Sequence, residues 1–239
     1  MRRTVLAAGL AGLALAHVGP AATWLPAVRR HLPGLAGVGD PAHVALTFDD
    51  GPDAASTPLF LDALHRLGCQ ATFFVLGPML RRHHDVARRI VADGHEIGVH
   101  GWSHVNALRT RPGRATAEIT RTAELIGEVC GVEPRWYRPP YGVLSAETLL
   151  AARRAGLRPV LWTCWGRDWT RSATPATVLG ALGPGLRGGG TVLLHDCDHT
   201  SAPGAWRAAL GALPRVVEHC RAARLAVGPL RDHGIVSGR

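Results

Sequence analysis

The stretch Thr47-Phe48-Asp49-Asp50-Gly51-Pro52 ends an apolar run with two adjacent carboxylates. Like charges side by side repel, and either one alone is costly to bury. They suit a turn ahead of Gly51-Pro52. They also suit one site with two jobs, in which one carboxylate holds a cation and the other accepts a proton. Further on, His100 and His104 stand four apart. On a helical turn that spacing puts both imidazoles on one face, as zinc-binding pairs require. Two His and one Asp leave an open position for water, the pattern of catalytic zinc sites. Arg138-Pro139-Pro140-Tyr141-Gly142, Asp168-Trp169 and His195-Asp196 follow in order. Hydrolysis of an amide needs a polarised carbonyl, a deprotonated water and a protonated leaving group. A metal, one base and one acid complete that set. Singly, each residue also has a plainer reading. Arg138 suits a surface linker, and His195, Trp169 and Leu193 suit an ordinary core.

The elements that must position these residues alternate. His43–Phe48 reads as an apolar strand. A helix follows, with Thr57 as its cap, Pro58 at its first position and Gly68 at its end. Strands are expected at Ala71–Val75, Glu96–Val99, Trp136-Tyr137, Pro159–Thr163, Gly190–Leu194 and Ala226-Val227. Helices intervene around Val86–Val91, Ile119–Cys130, Ser145–Ala155, Thr174–Leu182 and Ala205–Leu225, the last kinked or divided by Pro214. Strands alternating with helices argue for a parallel α/β sheet, as an incomplete barrel or an open doubly wound sheet. In a barrel, the five polar clusters fall at strand C-termini and face one mouth. No G-x-G-x-x-G follows a strand, and Gly188-Gly189-Gly190 reads as a turn before one.

The motifs "TFDDGP", "HGWSH", "RPPYG", "DW" and "LLHD", in that order, resemble the polysaccharide deacetylase family with its NodB-homology domain, carbohydrate esterase family 4. The match runs over about residues 43 to 228. The resemblance implies a distorted (β/α) barrel of about seven parallel strands. It implies a metal-dependent hydrolase of carbon–nitrogen, non-peptide bonds that removes acetyl groups from carbohydrate. An N-acetylhexosamine polymer, peptidoglycan or chitin-like, is the expected substrate. The alternatives are an O-acetyl esterase on a polysaccharide such as xylan, and a non-catalytic glycan-binding module.

The same resemblance implies roles. Asp50, His100 and His104 would hold one divalent ion, zinc foremost, with cobalt, nickel or manganese as alternatives. Asp49 would be the base, His195 the acid, Arg138 the partner of Asp49 and Asp168 the partner of His195. The Tyr141 backbone N–H would stabilise the oxyanion. Trp169, Leu193 and Pro140 would bind substrate around the acetyl group. Two positions depart from the family pattern. Gly101 stands where Ser or Thr is usual, which removes a hydroxyl that could brace the loop. Trp165 stands where an Asp is usual and widens the apolar surface. Asp198 and His199 read as plain loop residues.

The chain has 239 residues, 46% hydrophobic and 19% charged, enough for one large α/β domain. Net charge is +9, carried by 27 Arg with no Lys. No basic run is interleaved with aromatics, which argues against nucleic acid; a plain coding bias for Arg accounts for the charge, and the functional alternative is attraction to an anionic partner such as a cell envelope or acidic polysaccharide. Five Cys without a CxxC leave buried thiols as the default, with Cys164–Cys197 the one disulfide considered. Arg2-Arg3 before the apolar run Val5–Ala16 reads as an export segment, cleaved or kept as a membrane anchor, within residues 1–30. Residues 31–42 read as a Gly/Pro linker and 43–239 as the catalytic domain. An extracytoplasmic monomer, secreted or anchored, is the expectation.

Overall fold

The computed structural model describes residues 15–235. The strands are β1 (His43–Asp49), β2 (Thr72–Leu76), β3 (Glu96–Gly101), β4 (Trp136–Tyr137), β5 (Arg158–Pro159), β6 (Cys164–Trp165), β7 (Thr191–His195) and β8 (Ala226–Gly228). Seven of them form one curled sheet in the order β5-β4-β3-β2-β1-β7-β6, and β8 pairs with the start of β1. Every pairing is parallel. The expected incomplete barrel is therefore the observed architecture, a half-barrel of α/β type. β1, β2 and β3 are buried along their whole length, as helix-covered parallel strands must be. Phe48 stacks on Phe73 at 5.0 Å and meets the edge of Phe60, so β1, β2 and the helix Thr57–Leu67 share one apolar layer.

Three details depart from the sequence reading. The single strand expected at Pro159–Thr163 is two short ones at opposite ends of the sheet. Between them Val160 donates to Tyr137 O beside β5, Leu161 to Leu35 O, and Thr163 to Thr191 O on β7. The chain thus crosses the seam of the half-barrel in a few residues and cannot keep one partner. The helix Trp206–Ala222 runs through Pro214 undivided. Thr57 is not a cap: its hydroxyl accepts from Asp53 N at 2.8 Å and donates to Asp196, while the helix is preceded by Ser56.

The segment read as a linker, residues 31–42, is docked. Short helical turns at Gly19–Trp24, Pro26–Arg29 and Pro33–Ala36 each begin with a proline in the first turn, where its fixed φ favours the helix. Leu35 O fills the seam, Thr191 Oγ1 donates to Gly37 O at 2.6 Å, and Gly39 N donates to Gly189 O. Glycine is needed for this approach: a Cβ at Gly188 would lie 1.8 Å from Pro41 O. Most of the expected export run lies outside the described residues. Among the described residues, no helix is long and apolar enough to cross a membrane. All five Cys are free thiols, so the considered Cys164–Cys197 bond is absent.

Candidate active site

The C-terminal ends of β1, β3, β4, β6 and β7 meet around one cavity of about 420 Å³. Register brings the first pair together: Asp49, the last residue of β1, lies opposite His195, the last of β7. Asp50 follows with φ 81°, a left-handed conformation that ends strand alternation. The two neighbouring carboxylates can then reach the same space. Asp49 is 2% exposed, and its Oδ1 accepts from Arg138 Nη1 at 2.8 Å. Arg138 is fully buried; it also donates to Thr47 Oγ1 at 2.6 Å and to Leu161 O at 3.0 Å, and it lies over the Phe74 ring.

His100 sits in β3, and the β2–β3 register shifts so that Leu76 pairs with Gly101 past it. This irregularity frees the imidazole from strict pairing. His100 Nδ1 lies 2.8 Å from Arg138 O. A carbonyl only accepts, so Nδ1 carries the proton and Nε2 is left for another partner. His104 is on the loop after β3 with φ 47°, not on a helical turn as its spacing suggested. Gly101 at φ 102° folds the chain back instead, a conformation suited to glycine. His100 Nε2 is 3.3 Å and His104 Nε2 3.5 Å from Asp50 Oδ1.

These three side chains fit a metal ion. Their donor atoms lie within 4.8 Å of one another. Asp50 Oδ1 is buried with no hydrogen-bond partner, an arrangement that costs free energy unless a ligand completes it. Asp50 Oδ2 accepts from the Thr200 hydroxyl, which leaves Oδ1 turned to the histidines. Burial opposes the Asp50 charge, but the nearby His100, His195 and His104 outweigh it and hold the carboxyl well below its usual range. Burial, with His100 beside it, pushes His104 down to about 4, leaving a neutral imidazole able to ligate. Two imidazoles and one carboxylate suit a borderline cation such as zinc and leave a position open.

Across the cavity, His195 Nδ1 lies 2.9 Å from Asp168 Oδ1, and His195 N donates to Asp168 Oδ2 at 2.7 Å. Burial disfavours the His195 charge, but the Asp168 carboxylate overrides it and, with help from Asp50 and Asp49, pushes His195 up to about 10 in the metal-free protein. The stability that this pairing contributes is present below about 6.5 and is lost as pH rises through about 10. Asp168→Asn should therefore move the alkaline limb of the kcat–pH profile down by about one pH unit or more. A profile recorded with saturating zinc checks this, and an unmoved limb removes Asp168 from the role.

Trp169 and Leu193 line the cavity as expected. Pro140 does not. It is buried beside Tyr137 and Gly101, and Pro139 takes the lining position. The extended Pro139 faces the cavity, and the 3₁₀ turn starting at Pro140 carries the next residue away. Tyr141 has φ 59°, and its half-exposed ring lies 4.6 Å from His104. Trp165 stacks on Trp169 at 4.3 Å and joins the wall. Just past Gly101, Glu118 Oε2 accepts from Trp102 N at 3.3 Å and Ser103 N at 3.0 Å. That carboxylate braces the loop between the two histidines from a neighbouring helix. Thr200, Trp162 and Trp24 also reach the cavity, and no motif pointed to them.

The profile of the polysaccharide deacetylase family matches residues 36–160. The chain belongs to this family. Among the relatives, a chitooligosaccharide deacetylase of Bradyrhizobium sp. (strain ANU 289) is 37% identical over 171 residues, 71% of this chain and 76% of that protein. A peptidoglycan-N-acetylglucosamine deacetylase of Bacillus cereus is 31% identical over 197 residues, 82% and 70% of the two chains. The crystal structure of a peptidoglycan N-acetylglucosamine deacetylase, complexed with 4-naphthalen-1-yl-N-oxidanyl-benzamide, superposes with a TM-score of 0.79 at 28% identity. It covers 90% of this chain and 99% of the other. This member of the polysaccharide deacetylases is thus a hydrolase that deacetylates carbohydrate, built on the half-barrel its motifs implied.

Proposed function

We propose that this deacetylase removes N-acetyl groups from an N-acetylhexosamine polymer, peptidoglycan or chitin-like, outside the cytoplasm. The observation that carries the reading is the division of labour around one cavity. An Asp49–Arg138 pair stands on one side, an Asp168–His195 pair on the other, with Asp50, His100 and His104 between. One divalent cation held by Asp50, His100 and His104, zinc by its donor set, would polarise the acetyl carbonyl and acidify water.

Asp49 takes the proton of the attacking water through the carboxylate oxygen that Arg138 leaves free. Arg138 fixes the angle of that carboxylate by occupying Oδ1. The water oxygen adds to the acetyl carbon, and the Tyr141 backbone N–H donates to the oxyanion. His195, held as the imidazolium by Asp168, gives its proton to the departing nitrogen. The carbon–nitrogen bond then breaks to release acetate and a free amine. An amine leaves only when protonated, so an imidazole held charged near neutrality favours amide over ester substrates. Trp169 and Leu193 close over the acetyl methyl.

Export through the N-terminal segment would place the enzyme beside such polymers, and its net charge of +9 favours anionic envelope surfaces. The test is acetate release from a panel of acetylated glycans. N-acetylglucosamine oligomers and peptidoglycan should exceed acetyl xylan. The reverse order would make it an O-acetyl esterase.

A further inference from the structure

We propose that Trp24, from the segment ahead of the catalytic strands, is a substrate-stacking residue that binds the sugar ring next to the acetylated one. The inference rests on the reading of an N-acetylhexosamine polymer as substrate. Trp24 lies outside the family-matched residues 36–160, yet its side chain lines the same cavity as Asp49, His104 and His195. Its depth is telling. Asp49 on the floor is 2% exposed, whereas Trp24 and Tyr141 are 54% and 56% exposed. Both therefore stand at the rim, where the polymer continues beyond the residue being deacetylated.

The indole is also fixed. Its Nε1 donates to Tyr141 O at 3.2 Å, and the segment behind it is tied to the seam through Leu35 O and Gly37 O. A large apolar ring held half in water at a cavity mouth leaves apolar area unburied that a ligand can cover. The C–H face of a pyranose matches an indole face, and the ring hydroxyls stay in solvent. Trp162, Trp165 and Trp169 line the same cavity, pack on one another and are less exposed than Trp24. The polymer is then gripped on successive rings, and Trp24 is a specificity-determining residue.

A plainer role would be to pin Tyr141 through the Nε1 bond, and two substitutions separate the roles. Trp24→Phe keeps a ring without the donor. Trp24→Gln keeps a donor without the ring. Titration of zinc-loaded protein with an N-acetylglucosamine tetramer, in an Asp49→Asn background to hold turnover off, reads the Kd. Trp24→Gln should weaken binding about tenfold and Trp24→Phe less than about threefold. The opposite order, equal losses, no change in either variant, or no tetramer binding by the parent would overturn the inference. A wild-type protein that binds the tetramer without releasing acetate would overturn the catalytic reading alone.

Discussion

Asp49→Asn should retain the fold and the divalent ion yet release acetate about 10³-fold more slowly. The substitution is isosteric. An amide oxygen can still accept from Arg138 Nη1, so the buried guanidinium keeps its partner. The proposed ligands Asp50, His100 and His104 are untouched. What disappears is the proposed base, whereas Asp50 faces Thr200 and the histidines. Metal content and acetate release, measured on the same preparation, check the two halves together. A variant with full metal and undiminished turnover would move the base elsewhere.

Arg138→Met should be the costliest single change to the fold. Arg138 is the largest fully buried side chain, with contacts to Asp49, Thr47 and Leu161 O. Burial opposes its charge and lowers its pKa, and the Asp49 carboxylate offsets only part of that. Neither partner is screened by water, with side chains 0% and 3% exposed. Removing the guanidinium strands the Asp49 carboxylate and the Leu161 carbonyl without a partner. Breaking a buried pair in this way costs about 3–5 kcal/mol. The denaturation midpoint should fall accordingly, and activity should fall with it because the proposed base loses its fixed orientation. A midpoint within about 0.5 kcal/mol of the parent would show that the pair adds little.

Both predictions concern residues that stand out in the chain, and the reason is local. Asp49 ends a strand and Asp50 follows it, His100 is next to last in another, and His195 ends a third, so contiguous motifs mark the strand ends where a barrel gathers its chemistry. The alternating pattern was legible because the buried strands carry short apolar runs, Val44–Leu46 in β1 and Phe73–Leu76 in β2. Long-range contacts leave no such mark. Thr200 reaches Asp50 from 150 residues away, and Glu118 braces the histidine loop from a helix face. Gly and Pro between residues 19 and 41 look like a linker, because the composition that frees a chain also lets it pack closely against Thr191 and Gly189. The His100–His104 spacing suggested a helical face, and only the backbone angles at Gly101 and His104 reveal a tight loop. Pro139 and Pro140 are identical in kind, and the turn between them decides which one meets the cavity.

The Asp50–His100–His104 cluster is proposed to hold the cation on which carbohydrate deacetylation depends. The decisive measurement is acetate release from an N-acetylglucosamine oligomer by protein stripped with a chelator and then titrated with zinc. Activity should vanish on stripping and return in full at about one zinc per chain. Full activity in the stripped protein, or no acetate from the oligomer at any zinc level, would contradict it.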